Sequence, residues 1–137
     1  MSRDREVVGW LEKVRFPEID SVGKPILAKI DTGAYSGALH VDFEKIVVEN
    51  GEEILEYRPI NKERQIVRTK KFRKVRVKSS NGIKEERHLI TTAIVINGKT
   101  YKVELTLADR TDMRYDVIIG RRLLKKENML VDANKGG

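Results

Sequence analysis

Ile26-Leu27-Ala28-Lys29-Ile30-Asp31-Thr32-Gly33-Ala34 is the stretch whose reading decides the fold of this chain. Residues 26–30 alternate as a strand, with Ile26, Ala28 and Ile30 on one face. The strand leads straight into Asp31-Thr32-Gly33-Ala34, where a carboxylate can project from a tight turn and Gly33 allows close backbone approach. Asp-Thr-Gly alone is a weak signal, since a plain Asp-Gly turn accounts for it. Far downstream lies Val117-Ile118-Ile119-Gly120-Arg121, three branched apolar residues before a glycine and a helical stretch. The two segments, paired across a long intervening hairpin, form a far more specific pattern than either one.

Working outward, Asn-Gly pairs at 50–51, 81–82 and 97–98 mark hairpin turns, because both residues tolerate positive φ. Asp20-Ser21-Val22-Gly23 adds a fourth turn. Strand-like runs rich in Val, Ile, Thr and Tyr cover Val7–Phe16, Pro25–Asp31, Ile66–Ser79, Ile83–Ile96 and Thr100–Leu107. Within 73–78, alternation puts Val75 and Val77 on one face and Lys74, Arg76 and Lys78 on the other. Only Arg121–Asn128 reads as a helix, about two turns long. The expected class is all-β, a single domain over 1–137 with one short C-terminal helix.

The 137 residues fit one domain, and 39% hydrophobic against 36% charged residues allow a modest core. Absence of cysteine excludes disulfide scaffolds, cysteine-zinc modules and thiol nucleophiles. No apolar run reaches the roughly 18 residues of a membrane span, and the charged start is no secretory signal, so a cytoplasmic protein is expected. The net charge of +7 is uneven. Lys62–Lys78 holds nine basic residues against Glu63 alone, and the remainder of the chain is close to neutral. That stripe either meets something anionic or faces water.

The order of these segments resembles the retropepsin-like aspartic proteases. In that family an Asp-Thr-Gly-Ala loop carries the catalytic aspartate, a hairpin flap follows, and an Ile-Ile-Gly-Arg strand-to-helix segment closes the domain. Here the loop is Asp31–Ala34, the flap Ile66–Ile96 with its tip at Ser79–Gly82, and the closing segment Val117–Leu124. The resemblance implies a closed β-barrel of acid-protease fold. Val8-Gly9-Trp10, Ala38-Leu39-His40, Leu107-Ala108-Asp109-Arg110 and Ile119-Gly120-Arg121-Arg122 are similar to a narrower bacterial and archaeal branch. That branch is often labelled "ATP-dependent zinc protease" and is associated with ATP-grasp ligases that add glutamate tails to proteins. Two departures from the viral enzymes stand out. Tyr35 occupies the place of an aspartate that pairs with the arginine after Ile-Ile-Gly, which leaves Arg121 to find a partner among Asp109, Asp112 or Asp116. The flap tip Ser79-Ser80-Asn81-Gly82 is also less glycine-rich.

By the resemblance, Asp31 is the catalytic acid/base, Thr32 bonds across a dimer axis, Gly33 permits the turn and Ala34 keeps the cleft floor narrow. Ile118, Ile119, Gly120 and Arg121 are expected to support the loop structurally. Lys74, Arg76, Lys78, Ser80, Asn81 and Gly82 of the flap are the substrate-binding candidates. Two carboxylates sharing a proton are needed for this chemistry, and the chain has one Asp-Thr-Gly, so a homodimer is expected. An acidic peptide or glutamate-tailed protein is the implied substrate. No cofactor or metal is expected. The chain lacks a phosphate-binding Gly-rich loop and a His-Glu-x-x-His motif, and its only histidines are His40 and His88, too few for a three-histidine site. His40, Asp42 and His88 are the one zinc set considered, and hydrogen-bonded structural histidines are preferred. The main rival is a nucleic-acid-binding β-domain using the Lys62–Lys78 stripe, disfavoured because Phe72 is its lone aromatic. A non-catalytic peptide-binding module of the same fold is the third reading.

Overall fold

Branched and aromatic side chains pack well on a pleated surface, and stretches rich in them form most of this molecule. The computed structural model describes residues 5–19, 24–78, 82–109 and 114–136. In chain order it contains β1 (Val7–Gly9), β2 (Leu11–Arg15), β3 (Ile26–Ile30), β4 (Gly37–Glu49), β5 (Glu52–Pro59) and β6 (Val67–Thr69). Then follow β7 (Phe72–Lys78), β8 (Lys84–Ile96), β9 (Lys99–Ala108), β10 (Val117–Ile119), α1 (Arg121–Lys126) and β11 (Leu130–Asp132). Strands β10, β3, β2, β8, β9 and β4 pair in that order, and β4 returns to β10, which closes a six-stranded barrel. Inward-facing Val14, Ala28, Leu39, Ile94, Ile96, Leu105, Val117 and Ile119 are solvent-free. Each large apolar side chain so buried stabilises the fold by roughly 1.5–3 kcal/mol.

Two hairpins extend from the barrel. One is β4–β5, turned by Asn50 and Gly51 at φ 53° and 78°, with β6 along its free edge. The other is β7–β8, in register from Phe72↔Ile90 to Lys78↔Lys84. Gly82, near its tip, has φ 84°. Ser79, Ser80 and Asn81, like the turn at 20–23, lie outside the described residues.

Several boundaries differ from the sequence reading because pairing partners change along a run. Val7–Phe16 splits at Trp10, since β1 pairs with β11 while β2 pairs with β3 and β8. Ile66–Ser79 splits into β6 and β7, which serve different sheet edges, around a turn in which the Lys71 N–H donates to Thr69 Oγ1. The helix stops at Lys126, and Asn128 at φ 55° has left it. Strands β4 and β5 are absent from the sequence-based set, although their turn is in it. Their outer halves are too charged to show a clear apolar alternation.

Glu18 ties the turn after β2 to the barrel, accepting from the Ala93 N–H at 2.9 Å and from Thr92 Oγ1 at 3.1 Å. The Ala93 N–H first, then the Thr92 hydroxyl, hold its carboxyl below the ordinary 4.5. A depressed folded-state pKa stabilises the fold above the unfolded value and is lost as pH falls through the folded one. The Tm advantage of wild type over Glu18→Gln should therefore shrink as pH drops below about 4.5. A difference that is constant from neutral to acid pH would contradict this coupling.

Candidate active site

Asp31 leaves the end of β3 with its backbone already committed. Its N–H donates to the Ile119 carbonyl at 2.9 Å, and its carbonyl accepts from the Ala34 N–H at 3.2 Å. The Gly33 N–H donates to Asp31 Oδ1 at 2.9 Å and aims the carboxylate. A Cβ at Gly33 would stand 3.2 Å from that same oxygen, tighter than most contacts allow.

Strand β10 is wedged between the two strands that the Asp31 loop connects. It runs parallel to β3, with Val117 opposite Ala28, and antiparallel to β4, with Val117 opposite Leu39. The wedge explains why branched apolar residues precede Gly120. Val117 and Ile119 fill the core, whereas Ile118 points the other way and lines the cleft beside Asp31. Gly120 then passes against the loop's own backbone. Past it, the Arg121 and Arg122 N–H groups donate to the Ala34 and Tyr35 carbonyls at 2.8 and 3.0 Å. Those first helical N–H groups would otherwise be orphaned.

Among the described residues, Arg121 finds other partners than the expected aspartates. Its Nη1 donates to the Gly33 and Thr32 carbonyls at 3.2 and 3.4 Å, and its guanidinium stands 5.6 Å from the Tyr35 ring centroid. Tyr35 thus replaces an ion pair with a cation–π contact, worth about 0.5–1 kcal/mol at an exposed site. Asp109 faces His40 at 3.8 Å, the Asp116 carbonyl accepts from the His40 N–H, and Asp112 lies outside the described residues. Thr32 itself is exposed.

Asp31 opens into a cleft of about 510 Å³ with Lys29, Ala34, Ala38 and Ile118 on its barrel side. The β7–β8 hairpin supplies Arg76, Val77, Lys78 and Arg87. Among the described residues, the carboxylate of Asp31 is thus the one acidic group in a lining with four cations. Arg87, absent from the sequence-based candidates, is pulled in by register. Opposite Val75, it stands on the other face from Lys74, Arg76 and Lys78, pairs with Glu85 at 3.1 Å, and is only 21% exposed. Lys74 lines a neighbouring depression with Glu44, Glu86 and His88.

The basic stripe divides chemically. Arg68 pairs with Glu49 and Glu56, Lys70 with Glu52 and Arg73 with Glu104. Lys74, Arg76 and Lys78 have no ion-pair partner among the described residues. A polyanion laid along the whole stripe would compete with carboxylates already in place.

The histidines stand apart from one another's partners. His88 Nδ1 meets Glu44 at 2.7 Å, while Asp42 pairs with Arg58 at 2.9 Å. No metal-holding group of three or more His, Asp or Glu side chains occurs among the described residues. Likewise, no described helix is long and apolar enough to cross a membrane.

A closed barrel, a strand wedged behind an Asp-Thr-Gly loop and a hairpin beside it define the retropepsin-like aspartic protease fold. The chain belongs to the RimB-like family, described as "Retropepsin-like aspartic endopeptidase RimB", whose sequence model matches residues 7–136. A protein of Shewanella pealeana named "Probable alpha-L-glutamate ligase" is 31% identical over 136 residues, 95% of this chain. One of the same name from Desulfotalea psychrophila is 31% identical over 140 residues. The chain spans only 29% of the length of each of these two relatives. A crystal structure from Legionella pneumophila, of a protein with unknown function, superposes with a TM-score of 0.75 at 23% identity. It covers 96% of this chain and 95% of its own, a likeness of fold.

Proposed function

We propose that this protein is an aspartic endopeptidase that acts as a homodimer on acidic, glutamate-rich peptides. The observation behind it is Asp31, held by Gly33 at a loop wedged by β10 and opening into a cleft of cations. A second copy facing the first would bring two carboxylates together. Like charges about 3 Å apart cannot both ionise, so the pair shares one proton. The ionised member takes a proton from water as it attacks the scissile carbonyl, and the protonated member donates to the carbonyl oxygen. Thr32, exposed next to each Asp31, would bond across the axis. Lys29, Arg76, Lys78 and Arg87 would receive substrate carboxylates. The relatives named as glutamate ligases make a glutamate-tailed protein the natural candidate for the substrate.

Exposed charges act through solvent and are screened within about 10 Å at 0.1 M salt. The kcat/KM for a glutamate-rich peptide should therefore fall with added salt, while a neutral peptide of equal length responds weakly. Replacing Lys74, Arg76 and Lys78 together by Gln should flatten that dependence. KM should rise more than kcat falls, because these groups bind rather than react. At about 0.2–1 kcal/mol for each exposed pair, a KM rise of roughly tenfold is expected. Unchanged cleavage of the acidic peptide at low salt would reduce the stripe to a solvated face. Tight, salt-sensitive RNA or DNA binding without peptidase activity would favour the nucleic-acid reading.

A further inference from the structure

A larger groove lies beyond the Asp31 cleft on the outer face of β2 and β3. Strand alternation places Leu27, Lys29 and then Asp31 on one side of β3. The register sets Leu11 opposite Lys29 and Lys13 opposite Leu27, with Arg15 next along β2 and paired to Val95 of β8. Together Leu11, Lys13, Arg15, Leu27 and Val95 line a groove of about 610 Å³. Lys29, cross-strand neighbour of Leu11 and part of the Asp31 cleft, stands between the two depressions.

The floor of this groove is apolar, with Leu27 43% exposed. Its rim is cationic, for Lys13 and Arg15 are exposed and have no ion-pair partner among the described residues. Glu12, the one carboxylate in the lining among the described residues, is buried and engaged by the Gly9 N–H at 2.7 Å and Lys135 at 3.5 Å. An uncommitted positive rim over exposed leucine suits side chains with a short hydrocarbon stem and a carboxylate tip.

We propose that this groove is an extended subsite, which receives glutamate side chains of the same acidic peptide several residues from the scissile bond. The proposal rests on the acidic-peptide reading of the Asp31 cleft. Strand geometry sets the reach. Leu27 is four residues from Asp31, about 13 Å at 3.3 Å per residue, and Arg15 lies about two residues further. An extended peptide advances at the same rate, so glutamates roughly four to six residues from the cleaved bond would meet Lys13 and Arg15. Every second one would point into the groove.

Binding of oligoglutamates of about four and about ten residues to the Asp31→Asn protein separates this site from the catalytic cleft. The long peptide should bind about tenfold more tightly than the short one, as two exposed ion pairs allow. In Asp31→Asn carrying also Lys13→Gln and Arg15→Gln, the ratio of the two affinities should fall close to one. Both substitutions are at exposed positions, and an unchanged Tm verifies the fold. Equal affinities before the double substitution, or a ratio that survives it, would overturn the groove while leaving the cleft reading intact. If neither peptide binds, the cleft reading falls as well. A single-stranded RNA of similar length that outcompetes the long peptide, and loses affinity in the double variant, would overturn the peptide assignment.

Discussion

Replacing Asp31 by asparagine should abolish hydrolysis of an acidic peptide while the fold survives. Asparagine preserves an oxygen that can accept the Gly33 N–H now bonded to Oδ1 at 2.9 Å, so the loop keeps its local geometry. The backbone bonds through Ile119 and Ala34 do not involve the side chain at all. What disappears is the titratable group, and general acid–base chemistry of this kind is worth about 10²–10⁴ in rate. Loss of at least about a thousandfold in kcat/KM, with little change in Tm, is expected. The same variant tests the dimer. Mixed with wild-type protein in excess, it should draw active subunits into heterodimers with a single carboxylate and suppress their activity. Specific activity of the wild type should also fall on dilution, as dimers dissociate into half-sites. A variant with near-normal turnover would end the aspartic mechanism, and a fully active monomer would end the dimer. Inhibition by EDTA in the same assay would point back to zinc.

Gly120→Ala should be strongly destabilising. A Cβ there would lie 2.6 Å from the Tyr35 carbonyl oxygen and 2.7 Å from the Ser36 carbonyl carbon and oxygen. These are backbone atoms of the Asp31 loop, and they cannot swing aside as a flexible side chain would. Relief requires β10 and the loop to part, which would stretch the Ile119–Asp31 and Ala34–Arg121 bonds. A cost of about 3 kcal/mol, the upper end of usual overpacking effects, is expected. For a domain of this size that lowers Tm by roughly 10 °C. Gly98→Ala is the control. Its φ of 76° strains any other residue, yet nothing stands within 4 Å of the new methyl, so about 1 kcal/mol is expected. Equal Tm losses in the two variants would show that conformational strain, and not the close approach of β10 to the loop, sets the cost at Gly120.

The all-β class was legible because alternation and Asn-Gly turns are local signals. Strand β8 and the turn at Asn97 and Gly98 follow directly from them. The Asp31 loop and the apolar run 117–119 were legible for the same reason, as short motifs with a strand on one side. Charge hid β4 and β5. The exposed halves of those strands carry Glu44, Glu49, Glu52 and Glu56, three of which serve as ion-pair partners for the basic stripe.

By itself the sequence determined the local elements, the single carboxylate in its turn, and the branched residues that had to be buried near it. Those follow from side-chain shape and strand period, which act within a few residues. Only the tertiary structure decided that β10 is wedged behind the loop, and that Arg121 answers to two carbonyls and a tyrosine ring in place of an aspartate. It also divided the stripe into paired and unpaired cations and brought Arg87 and Lys29 to the same cleft. Each of these depends on cross-strand register between segments tens of residues apart. A one-residue slip would turn every such side chain to the opposite face, and the register is fixed only when the barrel closes.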